Sequence, residues 1–303
     1  MIRHILIPFA ADIHRVSDPQ EIATLNERDD LDRGFAAKGP LINRFLVRRV
    51  VSVLTFSGGR LPSIAARGDE ARQASQRALQ ARLDGKAVED LVGNDALARL
   101  AELIQTDADA ESFGPAVQQA VGLLFNGDYR ATRESWKAAL TLDTAVRSRN
   151  PLVYAFLMLS GRLRAAKRIL AAAVNGDLAG VHATGIAVHN LVQGFMAMRG
   201  MRSDAFVSAT ASADAAAAKC IFAPPGVLRQ AVAHGSAGGR TYEPGTLFLL
   251  NLAAAYDRSP SAAMAFGAGA WPHCPAANFV PALLRAVWLR AAAPSRETGR
   301  GHD

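Results

Sequence analysis

The chain has 303 residues, half of them hydrophobic, and a formal net charge of +7 at pH 7 carried mostly by arginine. Its apolar runs are shorter than the ~18 residues of a membrane-spanning helix, and two cysteines, Cys220 and Cys274, are too few for a disulfide framework. These features predict a cytoplasmic protein with no membrane partner. The arginines are scattered and few aromatics alternate with them, which argues against nucleic-acid binding and leaves an acidic partner or an anionic cofactor.

The first half of the chain contains predicted helices separated by turn signals. After an extended start, Ser17-Asp18-Pro19 opens a helix, because Asp18 or Ser17 can cap it and Pro19 suits its first turn. Arg44–Phe56 is apolar with three arginines and fits either helix or strand. Further helices are predicted at Ala65–Leu83, Ala96–Gln105, Phe113–Leu124, Ala131–Val146 and Leu152–Val174.

The stretch Leu178–Arg199 is predicted to be the long central helix. Four of its polar side chains could take part in chemistry: His182, Thr184, His189 and Asn190. Thr184, with the glycine after it, can locally disturb the hydrogen-bond ladder of a helix. His182 and His189 are seven positions apart, which places them near one helix face. They could form a two-histidine metal site, although no third ligand is near, or each could have a hydrogen-bonded structural role.

The last third of the chain mixes helical and extended patterns. Ser212–Phe222 is predicted to be a helix that ends before two prolines, and Ala231–Arg240 is predicted to be a loop. Tyr242–Thr246 forms a turn into the apolar run Leu247–Asn251.

The chain is predicted to be one domain of residues 1–290 followed by a disordered tail of residues 291–303. No Pro/Ser-rich linker and no internal repeat divides it. The last helix of the domain runs to Arg290, and Pro281 inside its pattern predicts a kink or a late start.

The strongest functional signal is the stretch Phe266-Gly267-Ala268-Gly269-Ala270-Trp271-Pro272-His273-Cys274-Pro275-Ala276. Its glycines allow the backbone to pass close to a bulky group, and Cys274 stands where the last helix is expected to begin. The N–H groups and the positive end of a helix favour a thiolate over a thiol. A buried thiolate is a good axial ligand for haem iron. The alternative is a Gly/Ala-rich loop around a structural cysteine.

The pattern Phe-Gly-x-Gly followed by a cysteine resembles the haem-binding loop of the cytochrome P-450 superfamily. This resemblance implies a mainly α, compact cytochrome P-450-like helical fold with a small β element. It also implies haem b as the cofactor, with the Cys274 thiolate as the metal ligand. Six further residues are implied to bind the haem. Three contact it from the loop (Phe266, Gly267 and Gly269), and three bind the haem propionates (Arg229, His273 and Arg72). Arg77 is the alternative to Arg72.

The chain departs from that family at several positions. The loop is one residue longer than usual before Cys274, and Pro272 and Ala276 stand where a basic residue and a glycine are usual. Ala218 and Ile221 replace the family's Glu-x-x-Arg pair, so apolar packing must take the place of a buried ion pair there. The central helix has no Asp or Glu in its apolar stretch. Its four polar side chains would have to replace the acid–threonine pair that delivers protons in the family.

The resemblance implies monooxygenase-like oxidation of a small hydrophobic or aromatic organic substrate, as in secondary metabolism. Electrons would come from an acidic ferredoxin or flavoprotein that docks near Arg285 and Arg290, on the helix after Cys274. One alternative is an atypical haem-thiolate enzyme that uses peroxide or catalyses a redox-neutral reaction. Another is a non-catalytic protein that keeps the helical scaffold and binds a partner, which the missing Glu-x-x-Arg pair favours.

Overall fold

The computed structural model describes residues 2–106, 108–148, 150–201 and 209–292, and most of these residues lie in α-helices. The predicted fold class, mainly α with a small β element, is confirmed. The helices of the first half are α1 (Pro19–Glu27), α2 (Leu41–Leu54), α3 (Glu70–Leu83), α4 (Val88–Val92), α5 (Asn94–Gln105), α6 (Ala110–Leu123) and α7 (Arg133–Arg147). Those of the second half are α8 (Pro151–Leu159), α9 (Arg162–Ala173), α10 (Leu178–His182), α11 (Val188–Gly200), α12 (Ala209–Lys219), α13 (Leu252–Arg258), α14 (Ala262–Phe266) and α15 (Phe279–Ala292).

A five-stranded sheet pairs strands from the start of the chain with strands from its last third. It contains β1 (Ile2–Ile7), β2 (Ala11–Val16), β3 (Leu31–Asp32), β6 (Val227–Ala231) and β9 (Leu247–Leu250), in the order β1-β2-β9-β6-β3. β2 and β9 run parallel, and the other neighbours are antiparallel. Two short hairpins complete the β structure: β4 (Thr55–Phe56) with β5 (Gly59–Arg60), and β7 (Gly235–Ala237) with β8 (Arg240–Tyr242).

The central helix is continuous from α10 to α11 and packs against α5, α6, α12 and α15. Large side chains from these helices, including Trp288, Phe195 and Phe113, are fully buried between them. A separate apolar cluster lies on the sheet and contains Phe248 and Ile22. The central helix is therefore held on several sides, which fixes the position of its polar residues.

Two local predictions at helix starts are confirmed. The Asp18 side chain caps α1 by accepting hydrogen bonds from the N–H groups of Gln20 and Glu21 at 3.0 and 3.1 Å. The last helix starts late, because a single 3-10 turn (Pro275–Ala277) follows Cys274 and α15 begins only at Phe279.

The predicted disturbance of the central helix is also present. A π-helical turn, Ala183–Ala187, contains Thr184 and Gly185 and separates α10 from α11. The Thr184 hydroxyl donates to the carbonyl oxygen of Gly180 at 2.8 Å, a side-chain bond of the kind that loosens a helix.

Several predicted boundaries are wrong. Leu152–Val174 is two helices, because Gly161 adopts a left-handed conformation with a φ of 72° between α8 and α9. Ala231–Arg240 is not simply a loop, since it contains β7 and the end of β6. The helix predicted at Ser212–Phe222 ends at Lys219, before the two prolines. Arg44–Phe56 is a helix that ends at Leu54, followed by a two-residue strand.

Within the described part of the chain, no helix has the length and apolar character needed to cross a membrane. The tail predicted for residues 291–303 lies outside the described residues, apart from the two residues that end α15.

Candidate functional site

The glycine-rich stretch forms a closed loop between α14 and the 3-10 turn. Gly267 ends α14 with a φ of 66°, and Gly269 has a φ of 81°, conformations that favour glycine. The N–H of Cys274 donates to the carbonyl oxygen of Phe266 at 2.7 Å, which closes the loop. A Cβ at position 267 would lie 3.2 Å from the carbonyl oxygen of Pro272. The loop geometry therefore depends on Gly267 in particular.

Cys274 is half-buried beside an open groove of about 410 Å³ that Gly269, Trp271 and Asn278 also line. Burial raises the pKa of its thiol, and the nearby N–H of Ala276 only partly opposes this. For the free thiol, burial therefore outweighs the effect expected from a helix start. Only a single 3-10 turn follows the cysteine directly, and α15 begins at Phe279.

The side chain of Trp271 lies among four arginines that come from separate parts of the chain. Their guanidinium carbons lie 4.6 Å (Arg33), 5.1 Å (Arg72), 5.4 Å (Arg67) and 5.8 Å (Arg229) from the centre of the indole ring. These are distances at which a cation interacts with an aromatic face. Arg72 also donates from Nη2 to the Trp271 carbonyl oxygen at 3.0 Å.

Three of these arginines, Arg33, Arg72 and Arg229, are buried and are called the arginine cluster below. Burial and mutual repulsion lower the pKa of Arg33 well below its ordinary value and that of Arg229 to about 10, while Asp32 acts in the opposite direction. The Nε atoms of Arg33 and Arg229 have no hydrogen-bond partner among the residues that the structure describes. Buried cations of this kind are stable when anions pair with them. The cluster therefore suits an anionic ligand, for example one that carries carboxylates.

His182 of the central helix lies close enough to Arg33 of this cluster for its charge to act on the imidazole. Burial, together with the positive charge of Arg33, lowers the pKa of His182 to about 4, so the imidazole is neutral at pH 7. Its Nδ1 is buried and has no partner within the described ranges. His182 is thus a buried polar residue of the central helix whose charge state depends on Arg33 of the arginine cluster.

The other three polar residues of the central helix have different neighbours. The Thr184 backbone carbonyl accepts from Gln118 at 3.1 Å, so Thr184 belongs to a contact with α6. His189 Nε2 lies 3.3 Å from the carbonyl oxygen of Ala139, and its ring lies 5.1 Å from that of Trp136 on α7. His182 and His189 thus have different neighbours, and the π-turn between them changes the helical repeat on which the expectation of a shared face depends. Asn190 has a buried Oδ1 that lacks a partner among the described residues.

The residues expected at the propionates separate into two groups. Arg72 and Arg229 both lie in the arginine cluster, and Arg229 also donates to Asn26 Oδ1 at 3.0 Å. His273 is exposed, and its ring lies 2.7 Å from the side-chain nitrogen of Gln76 on the outer surface of α3. Arg77, the alternative to Arg72, is exposed on the same helix.

Arg33 and Trp271 were not among the predicted site residues. Arg33 follows the two-residue strand β3, and its local sequence gives no functional signal. Trp271 is part of the glycine-rich stretch, and its position between two glycines and a cysteine is a signal that could have been used.

More than nine-tenths of the chain aligns with solved cytochrome P-450 structures. An enzyme for C–S bond formation in chuangxinmycin biosynthesis shares 15% identity and a TM-score of 0.63, with 92% of this chain and 79% of that chain aligned. An econazole-bound protein of Mycobacterium smegmatis shares 15% identity and a TM-score of 0.62, over 95% and 86% of the two chains. Cytochrome P-450-153 from Novosphingobium aromaticivorans shares 12% identity and a TM-score of 0.61, over 96% and 85%. No family model and no curated protein sequence matches the chain.

Proposed function

We propose that this chain, which has the cytochrome P-450 fold, is a haem-thiolate oxidoreductase that acts on a small organic substrate. The observation that carries the proposal is the buried arginine cluster beside the loop of Cys274. Its partnerless guanidinium nitrogens fit the two propionates of haem b, and charge-assisted hydrogen bonds of this kind are strong. Cys274 would hold the iron, and Arg33, Arg72 and Arg229 would hold the carboxylates.

A haem bound through a cysteine supplies oxidative chemistry in which the thiolate ligand donates electron density to the iron. The residues of this chain would bind and orient the cofactor and the substrate. His182 can serve as a neutral hydrogen-bonding group at pH 7 beside the cluster, since burial and Arg33 keep its pKa low. His182 is therefore the first candidate for a catalytic residue. Thr184, His189 and Asn190 are proposed as further candidates.

A cavity of about 630 Å³ supports a small organic substrate. Side chains of α3, among them Ala78 and Leu79, line it together with Phe125 and Leu178, and Arg72 of the cluster borders it. This volume lies in the range of pockets that bind small organic molecules. One similar structure contains bound econazole and another acts in chuangxinmycin biosynthesis, which supports a small organic substrate of the kind found in secondary metabolism. We propose that this substrate is hydrophobic or aromatic.

A second proposal is that the chemistry uses peroxide or is redox-neutral. It is favoured by the central helix, where Leu178–Arg199 contains no Asp or Glu and the Thr184 hydroxyl already donates to the Gly180 carbonyl. A protein of this kind would turn over without an electron donor.

The absorption spectrum of the reduced protein with carbon monoxide tests the haem-thiolate proposal. We expect an absorption maximum at the long-wavelength position of thiolate ligation, lost in Cys274→Ala and retained in Cys220→Ala. Cys220 is a suitable control because it is a buried thiol at the end of α12, whose pKa burial raises to about 12. A protein that binds no haem, or that shows the spectrum of histidine ligation, would contradict the proposal.

A further inference from the structure

The first two strands bring two histidines and an aspartate to one face of the sheet edge. His4 on β1 and His14 on β2 are direct partners in the antiparallel register. Asp12 lies two positions before His14, so its side chain points to the same face of the strand. β1 is the edge strand of the sheet, and β2 is its neighbour.

The ligand atoms of these three residues already lie close together. His4 Nε2 is 2.7 Å from Asp12 Oδ1, and His14 Nε2 is 3.8 Å from the same oxygen. One donor atom from each residue lies within 4.8 Å of the other two. The two imidazole rings stack with their centroids 4.2 Å apart. Small side-chain rotations would bring the three atoms to the spacing of about 3.3 Å that a tetrahedral zinc site requires.

His14 has no other visible role for its ring nitrogens. The residue is fully buried between His4 and Phe248, whose ring centroid is 4.7 Å away. Neither Nδ1 nor Nε2 of His14 has a hydrogen-bond partner in the part of the chain that the structure describes. A buried polar group without a partner is costly. The Nε2 that faces Asp12 would gain a partner from an ion bound between them.

The carboxylate of Asp12 is held in place by its surroundings. The Thr246 hydroxyl donates to Asp12 Oδ2, which leaves Oδ1 directed at the histidines. The buried side chain of Asn43 accepts from the Asp12 N–H at 3.2 Å and donates to the Asp12 carbonyl at 2.7 Å. Supporting hydrogen bonds of this kind orient metal ligands in proteins.

We propose that His4, Asp12 and His14 bind a divalent transition-metal ion, zinc in the first instance, at the edge of the sheet. Two imidazole nitrogens and one carboxylate oxygen are a ligand set that zinc prefers, and a water molecule would complete four-coordination. The side chains of His4 and Asp12 are 12% and 17% exposed, so an ion can reach them from solvent. The ion would fasten the edge strand β1 to β2. The proposal does not depend on the haem assignment.

Arg240 makes a contact with His4 that competes with metal binding, and removing this contact tests the proposed site. Its Nη1 lies 3.1 Å from His4 Nδ1, where the guanidinium can donate. A neutral His4 that binds zinc through Nε2 must carry its proton on Nδ1, so Arg240 must leave this contact. Because Arg240 is exposed, it can do so. We expect Arg240→Ala to tighten zinc binding about two- to fivefold, the effect of removing one exposed charge contact.

The experiment is a zinc titration of the untagged full-length protein in competition with a chromogenic chelator. We expect one zinc ion whose affinity falls at least about tenfold in His4→Gln and in Asp12→Asn, and is unchanged in His234→Gln, which alters an exposed histidine. X-ray absorption of the bound zinc should show nitrogen and oxygen ligands without sulfur, which separates this site from a cysteine site.

The circular dichroism of each variant identifies one that fails to fold. His4→Gln changes a partly exposed ring and leaves the buried His14 in place, so this variant tests the proposal even when a His14 substitution does not fold. Absence of zinc binding or a sulfur ligand would overturn the proposal. So would a zinc affinity in folded His4→Gln and Asp12→Asn that equals the affinity of the unsubstituted protein.

Discussion

At the scale of single residues, the arginine cluster is the feature that most needs an explanation. Long cationic side chains are rarely buried unless they are paired, yet Arg33 and Arg229 each have an Nε that lacks a partner within the described residues. Stacking on Trp271 and the nearby Asp32 compensate part of this cost. A ligand with two carboxylates would compensate more of it, which is why the cluster supports the proposed cofactor.

Replacing Arg229 should therefore weaken haem retention. Charge-assisted hydrogen bonds to a partly buried carboxylate are worth ~1.5–3 kcal/mol, which corresponds to roughly a ten- to hundredfold loss of affinity. We expect this loss in Arg229→Ala and in Arg72→Ala, measured by the transfer of haem to a competing haem acceptor.

Arg77→Ala is the matched control, because Arg77 lies on the same helix as Arg72 but is exposed. Its haem retention should equal that of the unsubstituted protein. Equal haem retention in Arg229→Ala would show that the cluster does not hold the cofactor. The role of Cys274 is tested separately, by the absorption spectrum of Cys274→Ala.

The lowered pKa of His182 leads to a second prediction, which concerns the stability of the folded protein at acid pH. Burial and Arg33 lower its folded-state pKa to about 4 from an ordinary 6.5. Between these values the unfolded chain binds a proton that the folded chain does not, so stability falls as the pH drops from about 6.5 to about 4. We expect His182→Gln to lose less stability than the unsubstituted protein over this range, by on the order of 2 kcal/mol.

Urea unfolding at pH 7 and at pH 4.5 measures this difference. His14, whose pKa burial and His4 also lower to about 4, remains in the variant and accounts for a residual pH dependence. An identical loss of stability in the variant and in the unsubstituted protein would mean that His182 is not buried beside Arg33.

At this scale, sequence reasoning pointed to two members of the arginine cluster, Arg229 and Arg72, through the family resemblance. It also predicted the capping of α1 by Asp18 from the local pattern. Arg33 was not, because it reaches the cluster from a loop after a two-residue strand, and only the tertiary fold brings it to Trp271. The effect of burial on the Cys274 thiol was also inaccessible, since it depends on the packing around the loop.

At the scale of elements, the central helix shows which predictions a local pattern supports. Thr184 and Gly185 indicated a disturbed ladder, and the π-turn Ala183–Ala187 is present. The same turn made the seven-residue spacing of His182 and His189 misleading, because that argument assumes a regular helix. The break at Gly161 and the hairpin β7–β8 were missed because an isolated glycine and a short polar strand are weak signals.

Close packing of the central helix leads to a third prediction. A Cβ at Gly194 would overlap the backbone carbonyl oxygen of Cys220, which cannot move as a flexible side chain can. We expect Gly194→Ala to lower the free energy of unfolding by about 1–3 kcal/mol, measured by chemical denaturation.

Gly200→Ala in the same helix is the control. Apart from its chain neighbours and the backbone of its own helix, no atom of the described residues lies within 4 Å of a Cβ built there, and alanine has the higher helix propensity. This variant should be neutral or slightly stabilised. Equal destabilisation of both variants would indicate a general effect of alanine in α11 and would remove the argument from packing.

At the scale of the whole molecule, the net charge of +7 suits an acidic electron donor. The two arginines expected to face this donor differ in their surroundings. Arg285 forms an ion pair with Asp214 at 2.9 Å, so part of its charge is compensated. Arg290 donates to the carbonyl and side-chain oxygens of Asn94 at 3.0 and 2.6 Å, which are neutral partners. Arg290 therefore contributes more to the attractive field than Arg285.

The proposed donor-dependent oxidation makes a final prediction from this difference. Attraction between opposite charges speeds encounter and is screened by salt, so reduction by an acidic ferredoxin should slow as ionic strength rises. At low salt, Arg290→Gln should slow reduction roughly twofold or more, in the range of a single surface charge, and Arg285→Gln should slow it less.

Arg164→Gln is the control, because Arg164 is an exposed arginine on α9. The substitution removes the same charge from a helix that packs against α7 and α8, and it should have little effect on the rate. Stopped-flow reduction at several salt concentrations measures these rates. Equal effects of all three substitutions would mean that only net charge matters, and rates that neither salt nor substitution changes would contradict docking of an acidic donor at α15 while leaving the haem proposal intact.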